Sequence, residues 1–212
     1  MTDELSTFDV MYNTRAMRRL KPDPVAGEVL VKLVDAAIRA PSGSNVQNWA
    51  WIVVRDAEQK TKLAELNRQA VAAYTGPGSR RATELPHQDA ARRQRQLQAL
   101  LWQAEHMHEF PALIIPCLEL RGPRRESFLA GLSAGGSIWP AVQNLLLAAR
   151  ALGLGAALTT LALGNRPAFR DILNLPEEVE PVCVIPVGYP LGKFGPVSRR
   201  PVAEVLRWDR WS

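Results

Sequence analysis

Three apolar runs rich in β-branched and aromatic residues stand at 49–55 (WAWIVVR), 111–120 (PALIIPCLEL) and 180–190 (EPVCVIPVGYP), each pair more than fifty residues apart. Strands that far apart cannot be joined as hairpins. They have to meet in one sheet, with the intervening segments packed around it. The order is not a regular strand–helix repeat, so the chain reads as α+β with helices around one sheet. The first run is expected to be a buried strand. The last is continuous rather than alternating, which predicts an unbroken central strand.

The gaps carry helical periodicity. Residues 5–16 look helical and are ended by KPDPV, because each proline disfavours helix in the residue before it. From Ala26, the positions Val29, Leu30, Leu33, Ala36 and Ala37 recur at helical spacing up to Pro41. Residues 57–74 form a polar-faced helix, and 75–89 a loop by their Gly, Pro and charge content. In 90–110 the stripe Leu97, Leu100, Leu101 and Ala104 predicts an amphipathic helix. Residues 137–155 are almost wholly apolar and predict a helix buried on most sides, ended by the GLG at 153–155. Residues 156–164 read as extended or looping, and 166–175 as a short helix.

Length and hydrophobicity set the remaining bounds. The chain has 212 residues, 47% of them hydrophobic and 22% charged, which suits one sizeable core and excludes global disorder. Net charge is +5, with Arg far outnumbering Lys. Arginine is the better clamp for phosphate because its planar fork matches two oxygens. Cys117 and Cys183 sit in apolar runs and read as buried free thiols. The opening MTDELSTFDVM has no basic start and no apolar segment, so no secretory leader is expected. The apolar stretch after Arg150 is too short for a membrane span. A soluble, cytoplasmic protein with no membrane partner is expected.

Three polar clusters carry chemistry. The first is Arg15, Arg18 and Arg19 in TRAMRRL. The second is PSGSNVQNW at 41–49. The third is Arg199 and Arg200 in SRRP. Arginines at opposite ends of a chain can converge on one phosphate, and solvated surface charge is the alternative. His106 and His108 are two residues apart, so on a helix they face different sides. With no third or fourth ligand nearby, no metal site is expected. The basic RRQRQ at 92–96 lacks interleaved aromatics and reads as a solvated helix face rather than a nucleic-acid surface.

The segments TRAMRRLKPDPV, AAIRAPSGSNVQNWAWIVV, SIWPAVQNLLLAARALGLGAALTT and PVCVIPVGYPLGKFGPVSRRPVAEVL follow one another in an order that resembles the FMN-dependent nitroreductase family. The resemblance covers nearly the whole chain and is weakest over 75–110. It implies a mixed, mostly antiparallel sheet flanked by helices, in an intertwined homodimer with a C-terminal extension. It further implies a single domain over 1–212, with 75–110 as a variable substrate rim, and two FMN sites at the dimer interface.

Carried over by position, Arg15 and Arg18 should hold the FMN phosphate, with Arg19 as an alternative partner and Arg199 or Arg200 closing it from the tail. Pro41, Ser42, Asn45 and Gln47 should line the flavin edge, with Gly43 permitting close backbone approach. Gly155, Thr159, Thr160 and Leu161 should pass near the ring, with donors toward N5 and O4. Ala16 occupies a cofactor-binding position where the family usually has Ser, and Leu20 one where an aromatic is usual. Gln47-Asn48-Trp49 replaces a Gln-Pro-Trp. These departures leave the phosphate ligands within 14–19 open by one residue.

The rim is expected to include Arg80, Arg81, Trp102 and Phe110. The implied activity is ping-pong hydride transfer from NAD(P)H through FMN to a nitroaromatic, a quinone or a related small-molecule acceptor. The flavin carries the chemistry, so no catalytic side chain is named. The alternative is a flavin-utilising or flavin-storing protein without that activity.

Overall fold

The structure is a computed structural model that describes residues 5–77, 89–120 and 128–211, with side chains in the last span described from residue 135 onward. Its helices are α1 (Thr7–Asn13), α2 (Gly27–Ala37), α3 (Ala57–Thr75), α4 (Ala90–His106), α5 (Phe128–Ala151) and α6 (Arg166–Ile172). Its strands are β1 (Trp49–Val54), β2 (Ala112–Glu119), β3 (Gly155–Ala156), β4 (Val179–Pro181) and β5 (Ile185–Gly188). Local chemistry sets the helix starts. Ser6 and Asp9 form a reciprocal capping box on α1, and Asp56, Asp89 and Asn165 cap α3, α4 and α6.

The sheet order is β1-β2-β5-β3, with β4 also on β2, and every described pairing is antiparallel. β2 is the hub. Its Ala112, Ile114 and Leu118 face a core built with Leu30, Leu33, Ile138, Val142 and Leu145 of α2 and α5. Its Leu113, Ile115 and Cys117 face a second core with Leu63, Met107, Phe110 and Phe169. Two-residue periodicity thus splits one apolar run between two cores, and burial on both faces makes it continuous.

Two strand expectations are corrected. The run at 49–55 is not a buried strand but the sheet edge, half-exposed along most of its length. Trp49 and Trp51 do share a face, packing toward α2 and α5. The run at 180–190 is not one strand but two. Ile114 pairs with Ile185 and Cys117 with Pro181, so two β2 residues oppose the three residues Val182, Cys183 and Val184. That is a β-bulge. Pro116 and Pro181 lack the amide hydrogens a regular ladder would need here, and Val182 N–H donates to the Pro116 carbonyl at 2.9 Å. The bulge releases Val184 to pair with Thr159 in both directions at 2.8 Å. That pairing fixes the loop after β3.

Cys117 and Cys183 are free and buried, and burial pushes both thiols up to about 12. On α5 the expected burial holds on the sheet side only, since Trp139 and Gln143 face outward. On α4 the buried residues are Gln103 and Ala104, whereas Leu101 is exposed, so the predicted stripe is rotated toward a polar residue. No helix among the described residues is long and apolar enough to cross a membrane.

Candidate functional site

The segment after α1 lies against the β3 end of the sheet. Met17 N–H donates to the Ala156 carbonyl at 3.1 Å and Lys21 N–H to that of Tyr189 at 2.8 Å. Met17 and Leu20 are buried, which turns Arg15, Arg18 and Arg19 toward the opposite side. Gly155 makes the approach possible: a Cβ there would meet Leu20 Cδ2 at 2.7 Å and Met17 Cβ at 3.0 Å. Gly155 therefore acts beneath the arginine segment. It does not line the larger cavity.

The tail returns to the same place. Arg15 Nη2 donates to the Lys193 carbonyl at 2.7 Å, and Val197 N–H to the Tyr12 carbonyl at 2.9 Å. Arg15, Ala16, Arg18 and Arg199 consequently share one wall. Arg199 and Arg200 are both exposed, and Arg200 lines neither cavity. Burial lowers the pKa of Arg18 from its ordinary value.

Two cavities meet at that wall. The larger, about 680 Å³, runs to Leu158, Thr159, Thr160 and Leu161, with Tyr74, Leu100 and Gln103 above them. The smaller, about 530 Å³, runs the other way, to Arg19, Arg92 and Arg95. Among the described residues no carboxylate pairs with any of these arginines.

At the other end of the larger cavity lies a buried polar group. Thr159 Oγ1 donates to Asn67 Oδ1 at 3.5 Å and accepts from Leu161 N–H at 3.3 Å. Asn67 Nδ2 and Gln103 Nε2 have no partner among the described residues, and Gln103 is 1% exposed. An orphaned buried donor costs about 1–3 kcal/mol; of the two, Gln103 lines the larger cavity and Asn67 does not, so Gln103 is the one that a ligand acceptor there could satisfy. Thr159 cannot donate its amide there, since Val184 takes it. The amide of Thr160 has no acceptor among the described residues. The cavity therefore has a cationic end and a donor-rich end, the pattern that a ligand with a phosphate at one end and carbonyls at the other requires.

The cluster at 41–47 lies elsewhere. It forms the exposed α2–β1 connection, tied to α5 by Gly43 N–H donating to Ser137 Oγ at 3.1 Å. Pro41, Ser42, Asn45 and Gln47 line neither cavity within this chain. Gly43 has no left-handed φ. The left-handed residues are Ser44, Asn45 and Gln47, with φ of 50°, 54° and 51°. Three such residues cost about 1–3 kcal/mol each. They are held by Gln47 N–H donating to Ser42 Oγ at 3.0 Å and Gln47 Nε2 to the Asn45 carbonyl at 3.3 Å.

Two of the expected rim residues pack against the core. Phe110 is fully buried in the second core. Trp102 stacks on His106 at 4.1 Å and on Phe110 at 6.0 Å, packed against that core rather than facing the cavity. Arg80 and Arg81 lie outside the described residues. The α4 face on the cavities is Arg92, Arg95, Gln96, Ala99, Leu100 and Gln103. Arg92, Arg95 and Gln96 are exposed, as expected of a solvated face, and Gln103 is buried. His106 Nδ1 lies 2.9 Å from the Trp102 carbonyl, and among the described residues no cluster suits a metal ion.

The family model described as the nitroreductase family matches residues 11–189. The chain is similar to an NADH dehydrogenase of Thermus thermophilus, 32% identical over 210 residues, covering 92% of this chain and 91% of that protein. It is also similar to an iodotyrosine deiodinase of Thermotoga neapolitana, 27% identical over 203 residues, covering 94% and 95%. It spans 61% of the longer iodotyrosine deiodinase 1 of Rattus norvegicus. Among solved structures, an oxidised iodotyrosine deiodinase bound to FMN and 3-iodo-L-tyrosine shares the fold, with a TM-score of 0.75 at 23% identity over 96% of this chain and 99% of that one.

Proposed function

The chain belongs to the nitroreductase family, and from that premise we propose that it is an FMN-dependent oxidoreductase working between NAD(P)H and a small conjugated acceptor such as a nitroaromatic or a quinone. The observation that carries this reading is the larger cavity, with Arg15, Arg18 and Arg199 at one end, none with a carboxylate partner among the described residues, and the orphaned Gln103 amide on its lining. Arg15 and Arg18 take the cofactor phosphate, and Arg199 closes it from the tail. Gln103 Nε2 and the Thr160 amide supply donors toward the ring. FMN, when bound, supplies the hydride chemistry, so the residues have only to bind, orient and polarise.

The reading includes a homodimer. Asn45 and Gln47 hold a strained, exposed conformation away from their own chain's cavity, and a second copy would bring them to it. An apolar groove of about 490 Å³ lies between α2 and the edge strand β1, lined by Val31, Val34, Ile38, Trp51 and Val53, with no cover among the described residues. The tail presents Trp208 and Trp211, 78% and 90% exposed, and a partner's tail is the occupant we assign to the groove. The whole of 1–212 then works as one domain. The 75–110 segment contributes through the inner face of α4 rather than through Trp102 or Phe110.

The 27% identity to the Thermotoga neapolitana protein over 95% of its length favours a second reading, reductive dehalogenation of an iodinated phenol. The visible spectrum of the purified protein tests the main reading. A flavin spectrum that bleaches on anaerobic addition of NADPH or NADH supports it. Flavin reduced only by dithionite, with release of iodide from 3-iodotyrosine, supports the second reading. A colourless protein that takes up no FMN overturns both.

A further inference from the structure

The smaller cavity holds more positive charge than one mononucleotide phosphate requires. A phosphate monoester carries at most two negative charges at neutral pH. Arg15, Arg18 and Arg199 on the shared wall already suffice for it. Beyond them the smaller cavity adds Arg19, Arg92 and Arg95. None of the three has a carboxylate partner among the described residues.

Their placement runs against local electrostatics. Arg92 sits in the first turn of α4, where the helix carries its partial positive charge and cations are disfavoured. No acidic residue occupies that turn, and both carboxylate oxygens of Asp89 are taken by the Ala91 and Arg92 amides. Arg95 follows three residues on, which puts it on the same face of the helix. Arg19, Arg92 and Arg95 are exposed, yet they line one cavity contributed to by α4, the segment after α1 and the tail.

We infer that the cavity lined by Arg19, Arg92 and Arg95 is a second phosphate-binding subsite, taking a phosphate beyond the one the shared wall holds. The inference rests on reading the shared wall as the flavin phosphate site. Two sources carry the required chemistry: the phosphates of a phosphorylated nicotinamide dinucleotide, or the additional phosphate of a flavin dinucleotide. Either would extend from the larger cavity past Arg15 and Arg199 into the smaller one.

Inorganic pyrophosphate, titrated calorimetrically into the protein saturated with FMN, reads the subsite directly. Wild type should bind it, and the Arg92→Ala/Arg95→Ala protein should bind about tenfold more weakly for each arginine lost, the scale of a charge-assisted hydrogen bond. The Arg92→Lys/Arg95→Lys protein should fall between, because a point charge remains without the fork. The flavin absorbance of all three should be equal, which also reports folding. A rise in KM for NADPH but not for NADH in the Ala variant assigns the subsite to the nucleotide co-substrate. Release of FAD from wild type and FMN from the variant, on denaturation, assigns it to the cofactor. No pyrophosphate binding in wild type, or equal binding in wild type and the Ala variant, overturns the inference. A protein that takes up no flavin sinks the functional reading instead, and the same titration on it still decides the subsite.

Discussion

Arg15 Nη2 donates a 2.7 Å hydrogen bond to the carbonyl of Lys193, joining residues 178 positions apart in the chain. With Val197 bonded to Tyr12, it clamps the returning tail across the segment that carries Arg18. Arg199 reaches the same wall for that reason, and Arg200 does not.

The clamp and the charge cluster make the first prediction. Arg15→Ala and Arg18→Ala should each weaken FMN binding by about 1.5–3 kcal/mol, the scale of a hydrogen bond to a charged group. Arg200→Ala should leave it within the range of ordinary surface changes, about 0.5 kcal/mol. Fluorescence titration of the apoprotein with FMN measures all three. Equal losses at Arg18 and Arg200 would place the phosphate elsewhere.

Gln103 gives a prediction with two signs. Its Nε2 is buried with no partner among the described residues, so Gln103→Leu removes an unsatisfied donor while keeping most of the volume. The apoprotein should gain stability, up to about 1–3 kcal/mol, while FMN affinity falls. Thermal melts with and without FMN test this. Loss of stability in both forms would make Gln103 a structural residue only.

Gly155 should tolerate no larger residue. In Gly155→Val, the new Cβ would collide with Leu20 and Met17. Overpacking of this kind costs about 1–3 kcal/mol, and here it would lift the arginine segment off β3. A lower Tm should accompany weaker FMN retention. A stable variant with full FMN affinity would show that the segment is positioned some other way.

The tail should report the dimer. Trp208→Ala/Trp211→Ala removes the two most exposed aromatic side chains among the described residues. If the tail covers the groove beside β1 on a second copy, the variant should dissociate at higher protein concentration than wild type in analytical ultracentrifugation. It should lose FMN in parallel. A wild-type protein that is monomeric at micromolar concentration with FMN bound would refute the assembly.

The thiols give a pH dependence. Burial raises Cys117 and Cys183 to about 12 in the folded chain, against about 8.5 for a free thiol. Above the lower value the unfolded state loses protons that the folded state keeps, so unfolding is favoured as pH rises. The stabilising contribution is full below about pH 8.5 and falls away up to about 12, by at most about 1.4 kcal/mol per pH unit for each thiol. Urea midpoints for Cys183→Ala should decline less steeply than wild type across that window. Parallel declines would mean that the thiol is not held neutral by the fold.

Much was legible in the sequence because it is written in local patterns. The apolar runs placed strand material at β1, β2 and 180–190, and four ordered segments identified the family. The arginine groups at both chain ends were visible as phosphate candidates. Their convergence depended on hydrogen bonds between residues far apart in sequence, such as Arg15 to Lys193 and Met17 to Ala156.

Tertiary structure alone decided the rest. The one-residue mismatch between β2 and its neighbours broke 180–190 into two strands and freed Val184 to fix Thr159. No window of sequence contains that mismatch, because it is a property of two strands in register. The exposure of Arg92 and Arg95 was legible from their polarity, but the cavity they line and the burial of Gln103 were not, and hydrophobicity placed Trp102 and Phe110 at a rim when they pack against the second core. Residue type reports what a side chain costs to bury. Whether it faces solvent, core or cavity depends on how its helix is rotated against elements that arrive from elsewhere in the chain.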